Sequence, residues 1–410
     1  MRVLYLHPNS WTGEYPMLLK LRGLGHEVCV LEETRELGRG KRRVDGHFRH
    51  PGDGIATLWY DPRRGWERLV TWPLDRVFRR SFDGRNLIHR MWVIGEAVRR
   101  FRPDAIVCSD GFSYAIPASF LKQLGWLRAR LLVSYIGGDI LDCPEAEVGK
   151  RRTRMVTWLI RKSVRGPETL RPVSPMLEAI LLAEGAPRER IRVCPSHLVR
   201  TDREIAPVLA ERSGVAREVR DGRRIPQDAQ VAITLGGNHK GKGMHVLARA
   251  WPAVVRSYPN ARWLLCGPAH AWLEEAVWPV LREAGIAHTV AACGALDAAE
   301  VFRHLAAADV HVNPSLCESL NMVTVEAAAV GTPTITSDGA GIAHWVSRFQ
   351  AGAVVPRGDV EALADAIISA LRDRDGLRRW SSAGVAMASE FSLERVAAAL
   401  LVLMSGDQPA

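Results

Sequence analysis

Short runs of β-branched and aliphatic residues recur along this chain, separated by stretches of helical periodicity. A chain with that rhythm builds βαβ units around parallel sheets, because each apolar strand needs a helix on either face to cover it. In the first half the pattern predicts strands over residues 3–6, 27–31, 105–109, 131–136 and 191–194, with helices over 15–24, 87–101 and 176–184. In the second half it predicts strands over 231–235, 263–266, 290–292, 310–312, 334–336 and 353–355, and its plainest helix over 360–371. The reading is α/β, with two doubly wound sheets, and a chain of 410 residues is long enough for two domains of about 100–200 residues each.

Residues 195–227 are rich in charge and turn formers and carry little apolar periodicity, which places a domain boundary and hinge there. Residues 34–54 crowd Arg, Lys and Gly together and predict a basic loop without regular structure. Residues 392–404 open on Ser392, carry Glu394 in the first turn and continue as an apolar helix, so they read as a docking helix.

Composition narrows the partners. With 47% hydrophobic and 24% charged residues, the chain is neither disordered nor built to live in a bilayer. No stretch approaches the roughly 18–20 apolar residues that span a membrane, and the opening apolar run is too short for a secretory signal. A net charge of +10 suits an anionic partner: a nucleotide diphosphate, nucleic acid or an acidic membrane surface. The seven scattered cysteines form no Cys-x-x-Cys pair and read as buried free thiols of a cytoplasmic protein.

In open parallel sheets, ligands bind beyond the carboxyl ends of the strands. The segment from Asn313 to Pro333 leaves a predicted strand, turns, and enters a helix that stops at Gly331. The N–H groups of Asn321, Met322 and Val323, in the first turn of that helix, would meet a diphosphate with the positive end of the helix dipole. Glu326, about a turn further in, could accept hydrogen bonds from both ribose hydroxyls, and Glu318, outside the helix, could reach sugar hydroxyls. By spacing alone the two glutamates are ordinary surface residues. Between the first two strands of the second half, Gly236, Gly237, Gly241 and Gly243 surround Lys240 and Lys242, and such glycines permit a close backbone approach to a ligand.

The string Pro-Ser-x-x-Glu-Ser-x-x-x-Val-x-x-Glu-Ala-x-x-x-Gly-Thr-Pro, residues 314–333, resembles the retaining nucleotide-sugar glycosyltransferases of glycosyltransferase family 4. The resemblance runs through most of the second half and touches the first at Gly25 and at residues 171–195. It implies the GT-B fold, two Rossmann-like domains facing a central cleft: 1–200 on the acceptor side, 201–390 holding the nucleotide sugar, and a helix over 391–410 that crosses back to the first domain. It makes Lys242 the lysine that neutralises the diphosphate and Gly13 the glycine that lets the first loop approach the donor. The family's arginine position holds Gly237, and its histidine position holds Ile136, followed by Asp139, which is placed near the donor sugar or acceptor. The implied reaction is retaining and free of any covalent protein nucleophile, cofactor or metal, with a nucleotide-diphosphate sugar as co-substrate and an unidentified acceptor. Asp373 and Asp375 spell an Asp-x-Asp but read as solvated charge after a helix. A nucleotide-sugar epimerase of the same fold and a basic protein without catalysis are the rival readings. Basic and aromatic residues over 59–80 and 150–162 suggest peripheral contact with anionic lipid, whereas nucleic acid is not expected.

Overall fold

The computed structural model describes residues 1–6, 11–33, 53–60, 67–78, 87–149, 153–199, 202–236 and 239–406. It divides into two compact units. The first comprises Met1–Asp142, Gly149–Val199 and Leu393–Ala410; the second comprises Cys143–Val148 and Arg200–Ser392.

The first unit is built on six parallel strands: β1 (Arg2–Leu6), β2 (Glu27–Glu33), β3 (Ala56–Tyr60), β4 (Ala105–Cys108), β5 (Arg130–Tyr135) and β6 (Thr169–Pro172), in the order β3-β2-β1-β4-β5-β6. Its helices are α1 (Trp11–Gly23), α2 (Glu67–Phe78), α3 (Leu87–Phe101), α4 (Ala115–Gln123), α5 (Arg154–Ser163) and α6 (Pro175–Ala183). The second unit repeats the plan with β7 (Val231–Leu235), β8 (Arg262–Cys266), β9 (Val290–Gly294), β10 (Val310–Asn313), β11 (Thr334–Ser337) and β12 (Gly352–Val355), in the order β9-β8-β7-β10-β11-β12. In each sheet the strand order reverses once, beside its first strand, and that reversal opens a crevice at the carboxyl ends of β1 and β4 or of β7 and β10.

The central strands are apolar on both faces because helices cover both, so β7 is buried along its whole length. Beneath it Trp251 and Trp263 are fully buried, and their indole N–H groups are matched by Thr289 and Thr234 at 2.9 Å. In the first unit the last helix, Leu393–Ser405, buries Val396, Ala397, Leu400 and Met404 in one core with Val3, Tyr5, Val28 and Leu132. Lys20 on α1 pairs with Glu394 at 3.0 Å at the edge of this contact.

Two expectations need correction. Residues 191–194 form no strand; only Ile191 bridges to Leu170, and the sixth strand is β6, whose Arg171 and Pro172 disguise it. The proposed boundary segment holds two helices, α7 (Asp202–Ala210) and α8 (Arg212–Gly222), which seat Ile205, Val215 and Val219 on the second unit. Arg220, packed against the same unit, reaches Asp309 at 3.2 Å, so the helices are anchored by charge as well as by apolar contact. The basic loop over 34–54 lies outside the described residues except at its end, as do residues 150–152 of the second basic stretch.

Candidate functional site

The crevice of the second sheet is formed by the loop that follows β7 and the loop that follows β10. Gly236 leaves β7 at φ 143°, a conformation that L side chains rarely adopt. After it Lys240–Lys242 make one 3-10 turn, which Gly243 ends at φ 69° before the next helix, α9 (Met244–Ser257). A methyl group on Gly243 would stand 1.8 Å from the carbonyl oxygen of Pro314, so the two loops touch backbone to backbone. The Leu316 N–H donates to the Gly241 carbonyl at 2.8 Å and locks the contact.

That clamp brings Lys242 to Glu318, 76 residues away in sequence, as an ion pair with both side chains less than one-fifth exposed. Glu318 is held from every side. Its N–H donates to Gly339 O at 2.9 Å, its carbonyl accepts from Gly341 N at 2.9 Å, and Oε2 lies 2.7 Å from both Ser315 Oγ and Asn321 Nδ2. Burial alone would raise its carboxyl; the Lys242 charge and the hydrogen bonds from Lys242, Asn321 and Ser315 outweigh it and hold the group below the ordinary glutamate value.

Asn321 joins this pair to a helix. It caps α10 (Met322–Ala329) from φ 83°, its Oδ1 accepting from the N–H and hydroxyl of Thr324 at 2.8 and 2.9 Å while its Nδ2 serves Glu318. The cap uses the third N–H of the helix and leaves those of Met322 and Val323 at its mouth, where the helix dipole is positive. Glu326 is half-buried further along the same helix. Gly236 lies beside Lys242, 3.6 Å from its Cε to the position a Cβ would take. The structure thus gathers Lys242, Glu318, Asn321, Met322, Val323, Glu326 and Gly236 in one unit, at the reversal of one sheet; Gly237 lies outside the described residues.

The first unit treats its two candidates differently. Gly13 stands in the first turn of α1, and the buried His197 ring hydrogen-bonds to its backbone. Asp139 ties two loops together. Its two oxygens accept from Gly111 N at 2.6 Å, Ile136 N at 3.2 Å and Gly137 N at 2.7 Å, and the side chain is buried. Burial, then the neighbouring Asp110, raise its carboxyl against those three hydrogen bonds. Such a group organises the turns around it.

Sequence reasoning left Ser315, His311 and His197 without roles. Ser315 sits inside the quoted motif and could have been found there. His311 is buried in β10 and burial pushes it down to about 3, so it is neutral beside the Lys242–Glu318 pair. His197, likewise pushed down to about 4 chiefly by burial, gives no sequence signal beyond being a histidine in a turn-rich stretch. Among the described residues no cluster of His, Cys, Asp and Glu has the makings of a metal centre. Asp373 caps a helix through Gly376 N at 2.7 Å and meets Arg379 at 3.3 Å, and Asp375 pairs with Arg378.

Two family descriptions match the chain, one in each half: "Glycosyl transferase 4-like domain" over residues 16–197 and "Glycosyl transferases group 1" over residues 229–373. The chain belongs to the group 1, family 4-like glycosyltransferases. Like other members of this family it is a nucleotide-sugar-dependent glycosyltransferase with the GT-B fold. It is 29% identical to a D-inositol 3-phosphate glycosyltransferase of Corynebacterium urealyticum, over 60% of this chain and 68% of that protein. It is 25% identical to a putative colanic acid biosynthesis glycosyltransferase, WcaL, of Escherichia coli, over 73% of this chain and 69% of that one. Among solved structures, Anabaena HepE in complex with UDP superposes with a TM-score of 0.74 at 15% identity, covering 99% of this glycosyltransferase and all of HepE. Sucrose-phosphate synthase of Thermosynechococcus elongatus gives 0.73 at 18%, covering 99% and 98%. At these identities the structural likeness speaks for the fold.

Proposed function

We propose that this glycosyltransferase transfers its sugar with retention at the anomeric carbon, and that the donor diphosphate lies against the amino end of α10 with Lys242 as its countercharge. The observation that carries this reading is the meeting of a pinned lysine and a helix N-terminus at the reversal point of one parallel sheet. Lys242 has three N–H donors. Glu318 takes one, and the rest are available to phosphate oxygens, so Glu318 acts as a positioning residue that aims the ammonium group. Glu326 accepts hydrogen bonds from the ribose hydroxyls. As the bond to the sugar breaks, charge grows on the diphosphate where Lys242 and the N–H groups of Met322 and Val323 already point, which is stabilisation without reorganisation. The leaving oxygen, on the same face as the incoming hydroxyl, takes the acceptor's proton. Occupation of Asp373 and Asp375 by a helix cap and arginines supports chemistry without a divalent ion.

Because HepE has been crystallised with UDP-glucose, UDP-sugars head the donor panel. Calorimetry against UDP, GDP, ADP and TDP sugars is expected to find one preferred base. Glu326→Ala should weaken that donor by about 10- to 100-fold, the worth of hydrogen bonds to a charged group. Equal binding by wild type and variant would remove the ribose assignment. Turnover is expected to persist in excess chelator; loss of activity restored by Mg²⁺ would overturn the metal-free reading. Product analysis with donor alone separates transfer from epimerisation, since an epimer formed without acceptor would favour the rival.

One surface supports a second, compatible reading, contact with anionic lipid. On α2, Leu69, Val70, Trp72 and Leu74 face outward, Leu69 being 83% exposed, while Thr71 and Asp75 are buried. The helix is apolar on its outer side and polar within. Asp75 accepts from Ile88 N at 2.7 Å and His89 N at 3.3 Å, which fixes that orientation. Arg76 lies over the Trp72 ring at 5.5 Å, a pairing of aromatic and cation suited to a headgroup layer. No helix among the described residues is long and apolar enough to cross a membrane, so attachment would be peripheral. Vesicles containing anionic lipid should sediment the wild type, and Leu69→Ser with Trp72→Ser should lower the membrane partition constant about 100-fold or more, the scale set by losing two buried apolar side chains. Equal sedimentation with neutral vesicles would remove the reading.

A further inference from the structure

Two of the seven cysteines stand side by side at the carboxyl end of the second sheet. β8 and β9 run parallel with Leu265 opposite Ala292 and Cys266 opposite Gly294, so the register slips by one residue and Cys293 is the extra residue of a bulge beside Cys266. Cys266 is buried and Cys293 half-buried. The Cys293 thiol donates to the Ala291 carbonyl at 3.5 Å, and Cys266 lies on the neighbouring strand beside it. His304, the third partner, receives a hydrogen bond from Arg223 Nε at 3.2 Å, with its other ring nitrogen 2.8 Å from Glu300 O.

We propose that Cys293 and Cys266 are a peroxide-sensitive thiol pair that closes reversibly to a disulfide and thereby loosens the donor loop at Gly236. The charge around the pair supports this. The Cys266 thiol beside it and the Arg223 charge hold the Cys293 sulfur below the ordinary thiol range despite its burial, whereas Cys266 is pushed up by its neighbour and by burial. A second adjacent pair, Cys143 and Cys317, supplies the contrast. Burial raises both of its thiols, and Glu145, 3.0 Å from Cys143 Sγ, adds to the effect, so that pair stays protonated.

The chemistry needs only a peroxide. The Cys293 thiolate attacks one oxygen of hydrogen peroxide, the O–O bond breaks, and the departing hydroxide takes a proton from solvent to leave a sulfenic acid and water. Cys266 then forms the S–S bond, its proton leaving with the sulfenic hydroxyl as a second water. Two thiols and one peroxide give one disulfide and two waters.

The link to the site runs through the backbone. The Cys266 carbonyl accepts from the Gly236 N–H at 3.2 Å, and the Gly267 N–H donates to Gly294 O at 2.8 Å. Closing an S–S bond of about 2.05 Å between the neighbouring strands shifts the residue on which the Gly236 loop rests. This consequence rests on the donor site proposed above; disulfide formation itself does not.

The test takes the full-length protein through a hydrogen peroxide titration, alkylates the remaining thiols and maps the peptides by mass spectrometry. The first product is expected to be the Cys266–Cys293 cross-link, reversed by dithiothreitol. Cys266→Ser should stop at a sulfenic acid on Cys293 that dimedone traps, and Cys293→Ser should leave Cys266 a thiol. An intact Cys293 at peroxide levels that already oxidise Cys143 or Cys317, or a cross-link that forms only in urea, overturns the proposal. UDP binding to the reduced and oxidised forms is then compared. About tenfold weaker binding after oxidation supports the coupling, and equal binding overturns the coupling alone. Failure of the reduced protein to bind any nucleotide tells against the donor site while leaving the cross-link result standing.

Discussion

Replacing Lys242 with Met is expected to lower turnover about 100- to 1,000-fold, the usual cost of removing one preorganised donor from the place where charge develops. The expectation follows from geometry as well as charge, because Lys242 is aimed by Glu318, Glu318 by Ser315 and Asn321, and Asn321 caps the helix that would face the same diphosphate. Removal of the ammonium also strands a carboxylate that has little contact with water, so stability must be separated from catalysis. The double variant Lys242→Met with Glu318→Gln removes both charges and should recover most of the lost stability with none of the lost turnover. Acid titration adds an independent sign. The Glu318 carboxyl is held below its ordinary value in the folded state, so its contribution to stability is present above the unfolded value and is lost as pH falls through the folded one. In Lys242→Met alone the folded value rises toward or past the unfolded one, because burial then outweighs the remaining hydrogen bonds, so the share of the acid-induced loss carried by Glu318 should shrink or vanish. A variant with wild-type turnover and an unchanged acid limb would remove Lys242 from the mechanism.

The second large effect is structural. Gly243→Ala is expected to destabilise the second unit by about 3 kcal/mol or more, because a methyl group would stand 1.8 Å from the Pro314 carbonyl oxygen at a backbone φ of 69°. Gly285→Ala is the matched control. It has nearly the same φ, 70°, but no heavy atom within 4 Å of the added carbon, so it should cost only about 1–2 kcal/mol, the price of the left-handed conformation alone. Chemical denaturation of both variants measures the difference, which is the worth of the contact between the two site loops. Equal losses would mean that the loops part at little cost and that the clamp on Lys242 is weak.

The sequence disclosed these features unevenly, for reasons that lie in the residues. All six strands of the second sheet lie within two residues of where β-branched and aliphatic runs placed them, most plainly β7, which is buried along its whole length. β3 escaped notice as an edge strand with alternately exposed residues, and β6 because Arg171 is buried by hydrogen bonds to Cys194 O at 3.0 Å and Ser134 Oγ at 3.2 Å rather than by apolar packing. In the site, Lys242, Asn321 and Glu326 were legible from glycine spacing, a helix start and a family motif. The pairing of Lys242 with Glu318 was not, since it depends on β7 lying beside β10, a matter of strand order that no local pattern carries. The ties of Asp139 were hidden for the same kind of reason, since the Gly111 N–H that donates to it belongs to a different loop.

The central claim is that a donor diphosphate binds at the amino end of α10 within reach of Lys242. A crystal of the protein soaked with UDP and with a UDP-sugar tests it most directly. The account predicts phosphate oxygens within hydrogen-bond distance of the Met322 and Val323 N–H groups and of Lys242 Nζ, with the ribose at Glu326. Density for the nucleotide elsewhere, with the Lys242–Glu318 pair and the mouth of α10 untouched, would contradict it.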